Sequence, residues 1–324
     1  MRQLHWAVVG TGGIANEMAR TLEQNGRHFS AVYSRSPEKG AAFGEKYGIP
    51  QVYSNLDGML SDPQVEAVYI ATPHNTHFPY IMRALEMGRH VLAEKAITLN
   101  SRELRQALEK AKEKGVVLAE AQTIYHMPLY KELRTLISSG ALGRVNLITM
   151  NFGSSKEYDL QNRFFSRELA GGAMLDIGVY ALSFVRWFLD SKPVSLHSQV
   201  KTAPTGVDEQ AGILLGNPEG QMASVMLSLR SKQPKRGMVS CEKGYVEIME
   251  YPRACEAKIT WTESGAVETI RAGQSGQALL YEIMDMERAV SGDLSVMCQS
   301  YTEDVMQIMT RLRKDWGVSY PEEE

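Results

Sequence analysis

The sequence predicts an α/β protein with two domains: residues 1–122 built on a parallel sheet, and residues 123–324 forming an α+β domain with a large open, mainly antiparallel sheet. Three observations lead there. At 324 residues the chain exceeds what one hydrophobic core ordinarily organises. Before residue 122, short apolar runs alternate with helical patterns, the mark of parallel strands joined by helical crossovers. From about residue 145 to 270 the texture changes to successive strand-like runs with little helix between them.

Taken in order, WAVVG leads into IANEMARTLEQ, FSAVYS into PEKGAAFGEKYG, VEAVYIATP into FPYIMRALEMG, and HVLAEK into SRELRQALEKAKEKG, before VVLAEAQ closes the first domain. In the second, VNLITMNFG, SLHSQVKT, AGILLG, QMASVMLSL, KRGMVS, GYVEIMEY and AKITWTE read as neighbouring antiparallel strands, with GNPEG at 216–220 as a hairpin turn. One helix, GGAMLDIGVYALSFVRWFL, interrupts them. A final pair, ALLYEIMDMERAVSG and YTEDVMQIMTRLRKDW, closes the chain, and the last helix is a candidate to pack back on the first domain. Methionines between 282 and 309 read as helix core, because the flexible thioether fills irregular apolar gaps.

Composition narrows the partners. A net charge of −3 without a long basic run argues against a nucleic-acid surface and a polybasic membrane anchor, leaving a small-molecule substrate. Cys241, Cys255 and Cys298 are an odd set without CxxC spacing, which suggests neither a disulfide framework nor a zinc site and fits a reducing compartment. MRQLHWAVVG enters a strand directly, and no run reads as long enough to span a bilayer, so the expected location is the cytoplasm.

The first chemical signal is GTGGIA: Gly10, Thr11, Gly12, Gly13, Ile14 and Ala15 follow a strand and open a helix. In such a GxGxxA turn the first glycine permits the bend, the second lets backbone approach a pyrophosphate, and the alanine allows close helix–strand packing. The helix N-terminus then favours the phosphate charge. The expectation is a Rossmann-type dinucleotide site. An NAD site usually carries an acid about 20 residues further on, but AVYSRSPEK offers Ser34, Arg35 and Ser36 there, with Lys39 one turn later. A guanidinium with hydroxyls suits a 2′-phosphate, so NADP is expected over NAD. At the end of VEAVYIATP, Thr72, Pro73, Asn75 and His77 stand at the carboxyl edge where ligands bind in open parallel sheets. His74 and His77 lack a nearby cysteine or carboxylate to complete a metal set, so cofactor contact or helix capping is expected and no metal.

GTGGIA, YIATPHNTHF, GRHVLAEKA and GGAMLDIGVYAL, in this order and spacing, resemble the glucose–fructose oxidoreductase, inositol dehydrogenase and rhizopine-catabolism (Gfo/Idh/MocA) family. The DIGVY form is similar to its dihydrodiol dehydrogenase and NADP-dependent xylose dehydrogenase branch. The resemblance implies that Lys95 lies beside the nicotinamide and carries the proton of the substrate hydroxyl, with Glu94 as its structural neighbour. Burial beside a cationic nicotinamide would lower a lysine pKa toward a range useful for general acid–base work. Ala96 stands where the family usually has proline; alanine neither holds Lys95 extended nor eases a cis bond, so the sequence leaves the ammonium position open.

In GGAMLDIGVYAL, Asp176 and Tyr180 are four apart and share a helix face. Many relatives have histidine where this chain has Tyr180, and a phenol can also pass a proton when an ammonium stabilises its anion. Lys95 and Tyr180 therefore compete as proton donor, with Asp176 orienting one of them and binding a substrate hydroxyl. Arg163 and Phe164 just before the helix, and Tyr125 beside His126, are substrate-pocket candidates. The implied activity is NADP-dependent oxidoreduction of a hydroxyl or carbonyl carbon in a sugar, polyol or related diol. A redox-neutral nicotinamide-dependent glycosidase and a non-catalytic NADP-binding regulator remain the alternatives. The resemblance further implies a homodimer or homotetramer formed through the open sheet.

Overall fold

The computed structural model describes residues 2–324 and divides them into two compact units. The first comprises the described residues through Gln122 together with Gly276–Gln299; the second comprises Thr123–Ser275 and Ser300–Glu324.

In the first unit the chain alternates as its apolar runs dictate: β1 (Trp6–Val9), α1 (Gly13–Gln24), β2 (Ala31–Tyr33), α2 (Pro37–Tyr47), β3 (Gln51–Tyr53), α3 (Leu56–Ser61), β4 (Ala67–Ile70), α4 (His77–Glu86), β5 (His90–Glu94), α5 (Ser101–Lys114) and β6 (Leu118–Ala121). The six strands lie in the order β3-β2-β1-β4-β5-β6 and every pairing is parallel. All residues of β1 and β4 are buried, as expected of central strands covered on both faces. Strand order reverses between β1 and β4, and that is where an open parallel sheet leaves a crevice beyond its carboxyl ends. Asn55, Ser36 and Asn100 cap α3, α2 and α5 with their side-chain oxygens.

The second unit contains α6 (Thr123–His126), α7 (Pro128–Ser138), β7 (Val145–Gly153), a π-helical turn (Met174–Gly178) running into α8 (Val179–Phe188), and then β8 (Ser195–Thr202), β9 (Asp208–Gly216), β10 (Met222–Ser228), β11 (Arg236–Cys241), β12 (Gly244–Met249), β13 (Glu256–Trp261) and β14 (Val267–Arg271). Two last helices follow, α9 (Ala278–Val290) in the first unit and α10 (Gln299–Asp315), nearly all of it in the second. The eight-stranded sheet has the order β14-β13-β12-β11-β7-β10-β9-β8. Helix α8 lies on its central strands β7, β10 and β11. Gly237 makes that approach feasible, since a Cβ there would fall 2.5 Å from the Phe184 ring. Phe184 is fully buried and meets Tyr130 and Tyr251 edge-on. The opposite face carries no helix at its centre, and Leu147, Leu214, Met222 and Met226 are each 40–53% exposed there.

Several expectations require correction. Strands β3 and β14 carry mostly exposed residues at sheet edges, so they lack the apolar pattern by which the other strands are recognised. The second sheet is mainly antiparallel, as expected, but β7 and β10, read as antiparallel neighbours, pair in parallel, Met222 opposite Leu147 through Ser228 opposite Gly153. It is the penultimate helix, not the last, that joins the first unit: Leu279, Ile283 and Met286 enter its core, and buried Glu287 accepts from Leu4 N, Trp6 Nε1 and Arg27, the last at 2.7 Å. One helical stretch, Arg167–Phe188, is in fact long and apolar enough to cross a membrane, but 78% of its apolar window is buried inside the protein, as in a core helix. The GNPEG turn does join the antiparallel pair β9 and β10.

Phe184→Ala empties the contact between α8 and the sheet. The expected loss is about 3–5 kcal/mol from the second unit, read as a lowered melting temperature.

Candidate active site

The first unit holds a cleft of about 230 Å³, lined by the glycine turn, the end of β2 and the end of β4. Gly10 has φ +103°, and a Cβ there would lie 2.7 Å from the Ala71 carbonyl oxygen, so this residue is required by the fold itself. Gly12 and Gly13 are different. Gly12 has an ordinary φ of −73° with only the Ala71 carbonyl near, at 3.9 Å, and a Cβ on Gly13 would meet nothing within 4 Å. Their missing side chains are not demanded by turn geometry and leave open space above the helix start. No side chain caps α1 and no acid stands in its first turn, so its N-terminal amides remain available to an anion. Together these features fit a dinucleotide pyrophosphate. Ala15 is fully buried against the sheet, and Ile14 packs partly into the same core.

Thr11, Ser34, Arg35, Ser36, Lys39, Thr72 and Pro73 share the lining of this cleft with Gly10 and Gly12, whereas Gly13 and Ile14 lie outside it. Ser34 is buried, whereas Arg35 and Lys39 are exposed. Ser36 Oγ accepts the Lys39 amide at 3.3 Å as the cap of α2 and donates to Glu38 at 2.7 Å. Four lining residues escaped the sequence reading: Val9 and Ala71 at the strand ends, Tyr33, the last residue of β2, and Tyr80, one turn into α4. The two tyrosine rings meet edge-on with centroids 6.1 Å apart. Burial raises the Tyr80 phenol above its ordinary pKa, Tyr33 adds to this and Arg35 opposes it. The signal for Tyr80 was its place three residues after His77 on the same helix face.

Asn75, His77, Glu94 and Lys95 do not line this cleft; they stand at the ends of β4 and β5. Asn75 is in a short 3₁₀ turn, His74–Thr76, preceding α4. His77 is completely buried, with Nδ1 3.0 Å from the Ala96 carbonyl oxygen and Nε2 2.8 Å from that of Thr72, so its ring ties the two strand ends together. Burial holds the imidazole below its ordinary pKa, and the nearby Lys95 charge acts in the same direction. Buried Glu94 accepts a short hydrogen bond from Tyr69, and Glu120 accepts the Ile97 amide at 3.1 Å. Lys95, half-buried, thus projects from a segment held on both sides by buried carboxylates. Contrary to the expectation for alanine, the Lys95–Ala96 peptide is cis. Among the described residues no group of three histidine, cysteine or acidic side chains is arranged for a metal ion.

A second group of candidate residues lies in the second unit. Asp176 sits inside the π turn, a feature that recurs at functional sites, and Tyr180 follows in the first turn of α8. The Asp176 side chain is 14% exposed, with Arg163 Nη2 3.7 Å from its Oδ1. Phe164 is bracketed by cations, with Arg163 and Lys156 each 4.2 Å from its ring centroid. The glycine pair ahead of the turn is sterically compelled: a Cβ on Gly171 would lie 2.7 Å from the Arg163 carbonyl oxygen, and Gly172 has φ +118°. Tyr125 is not at a surface. It is fully buried, its ring stacked 5.8 Å from Trp187 and tilted 6.0 Å from Tyr301, the surroundings of a core aromatic; His126 is buried beside it.

Comparison with known proteins agrees with this architecture. A family model described as an oxidoreductase family with an NAD-binding Rossmann fold matches residues 4–122, and a GFO/IDH/MocA C-terminal domain model matches residues 130–247. Trans-1,2-dihydrobenzene-1,2-diol dehydrogenase of Mus musculus is 28% identical over 333 residues, covering 99% of each chain, and that of Xenopus laevis is 28% identical over 328 residues, covering 98% of this chain and 99% of the relative. Among solved structures, aldose–aldose oxidoreductase of Caulobacter crescentus complexed with glycerol superimposes with TM-score 0.85 at 25% identity, covering 97% of this chain and 98% of that one. A 3-ketoreductase from Actinomadura kijaniata in complex with NADP and TDP-benzene shares the fold, with TM-score 0.82 at 21% identity and 98% coverage of both chains. With both family models matching in sequence order, and the glycine turn open at the strand-order reversal, the chain belongs to the Gfo/Idh/MocA family and is an NAD(P)-dependent oxidoreductase.

Proposed function

We propose that this oxidoreductase uses NADP to move hydride to or from a hydroxyl or carbonyl carbon of a sugar, polyol or related diol. The observation that carries the cofactor preference is the end of β2, where Ser34, Arg35 and Ser36 stand in place of an acid and Lys39 follows in α2. The relatives that act on dihydrodiols and aldoses support the substrate class.

Gly10, Gly12 and Gly13 would hold the pyrophosphate, Arg35 and Lys39 the 2′-phosphate, and Tyr33 and Tyr80 the walls beside them. Bound nicotinamide supplies the hydride donor or acceptor at its C4. Lys95 or Tyr180 carries the proton, Asp176 accepts a substrate hydroxyl, and Arg163 with Phe164 frames the substrate. Glu94 and His77 hold the strand ends so that Lys95 stays in place. We also propose a cytoplasmic location, supported by three free cysteines, and a homodimer or homotetramer formed by pairing the open sheet faces. The face around Leu147, Leu214, Met222 and Met226 is apolar and lies mid-sheet, which suits an isologous contact with a second copy.

Titration of the purified protein with NADPH and NADH is the direct test of the cofactor. Tight NADPH binding that Arg35→Ala weakens about 10- to 100-fold, with NADH little changed, is the expected result; equal loss for both cofactors overturns the 2′-phosphate assignment. Turnover is then followed by nicotinamide absorbance with aldoses, polyols and trans-1,2-dihydrobenzene-1,2-diol. Lys95→Met and Tyr180→Phe should identify the proton donor through a kcat loss of about 10²- to 10⁴-fold at unchanged NADPH affinity. Cofactor binding without net redox change in any substrate points to the redox-neutral or non-catalytic alternatives. Replacing Met222 and Met226 by lysine should convert the oligomer to monomer in light scattering; an unchanged mass removes this face as the interface.

A further inference from the structure

A buried polar cluster lies behind the glycine pair that opens the π turn, and neither hydride nor proton transfer uses it. Asp208, the first residue of β9, is completely buried. Its Oδ2 accepts the Met174 amide at 2.6 Å, two residues before Asp176, while Oδ1 is pressed against Gly172 and makes no hydrogen bond of its own. The Gly172 carbonyl in turn accepts the Asp176 amide at 3.3 Å. From the other side, the buried Tyr320 hydroxyl donates to the Gly171 carbonyl at 2.6 Å. Tyr320 is held by its neighbours: Glu323 accepts the Tyr320 amide at 3.1 Å and pairs with buried Arg313 through two hydrogen bonds of 2.8 and 2.9 Å. Arg167 adds a bond to the Ser319 carbonyl at 2.9 Å and an ion pair to Glu324.

We infer that Asp208 is a positioning residue for the Asp176 turn, and that the C-terminal segment Tyr320–Glu323 completes the grip on Gly171 and Gly172. This rests on the reading of Asp176 as a substrate-binding residue. The stability cost supports it. A buried carboxylate with one oxygen unsatisfied is expensive; an amide of the same shape removes that charge but accepts the Met174 N–H only as a neutral group, so it relieves the penalty and loosens the grip. Charged and titratable groups facing Asp208 are Arg313 from α10 and Tyr320 from the C-terminal turn, with Glu323 behind them on Arg313; Glu209 beside it pairs with Lys201 at 2.9 Å. Burial raises the Asp208 carboxyl to about 7, against the opposing pull of the Met174 amide and Arg313. Since the folded pKa exceeds the unfolded one, the stabilising contribution is full below the ordinary carboxylate range and is lost as pH rises to about 7.

The test compares Asp208→Asn, Tyr320→Phe and Asp176→Asn in the full chain, with NADPH and whichever aldose or trans-dihydrobenzenediol turns over. Asp208→Asn and Tyr320→Phe are each expected to lower kcat about 10- to 100-fold, the scale of a small misplacement at a site, with NADPH affinity unchanged. The melting temperature of Asp208→Asn should match or exceed that of the unaltered chain at pH 8, and its excess should shrink toward pH 5. Amide exchange across Met174–Gly178 should rise in both variants and not in Asp176→Asn, a readout that needs no substrate. Unchanged exchange and unchanged kcat in Asp208→Asn overturn the inference, as does a parallel collapse of melting temperature and NADPH binding, which would mark Asp208 as merely structural. If Asp176→Asn alone keeps full turnover, the reading of Asp176 fails first.

Discussion

The close approach of Gly10 to the Ala71 carbonyl is the constraint on which the cofactor half of the molecule depends. Only a residue without a Cβ can turn there at φ +103°, and that turn brings the start of α1 to the crevice where strand order reverses. The uncapped amides of α1, the open space at Gly12 and Gly13, and the basic end of β2 then converge on one cleft. Were α1 capped in the manner of α5, a side chain would already satisfy the amides a phosphate needs.

The candidate residues of each unit are held by the same kind of device. In the first unit Glu94 and Glu120 bind Tyr69 and the Ile97 amide around Lys95; in the second, Asp208 binds the Met174 amide ahead of Asp176. A carboxylate takes backbone donors strongly in a low-dielectric interior but costs desolvation, so such groups fix geometry more than they add stability. Each sits beside, and not at, a residue assigned to the chemistry. The separation lets the side chain proposed to react remain partly exposed while its backbone is immobilised.

The second sheet serves two faces at once. Its inner face, through Gly237, admits Phe184 of α8 and so supports the helix that carries Tyr180. Its outer face presents Leu214, Met222 and Met226 in adjacent strands, where a soluble monomer more commonly places polar groups.

What the sequence by itself determined was the alternation of strands and helices in the first unit, the glycine turn, the absence of an acid at the end of β2, and the family of the four ordered motifs. These are local signals: periodicity, and short spacings whose meaning does not depend on distant contacts. The edge strands β3 and β14 were illegible because exposure erases apolar alternation, and the parallel β7–β10 pairing because register is set by long-range closure of the sheet. Tyr125 looked like a pocket residue in a motif position, yet burial among Trp187 and Tyr301 depends on residues 62 and 176 positions away in the chain. Tertiary structure alone brought Asp208 and Tyr320 to the glycine pair, because a buried acid at a strand start and a tyrosine near the C-terminus have no shared sequence pattern. Local physics writes turns and periods into the sequence, while the partners that immobilise a site are chosen by where the chain returns.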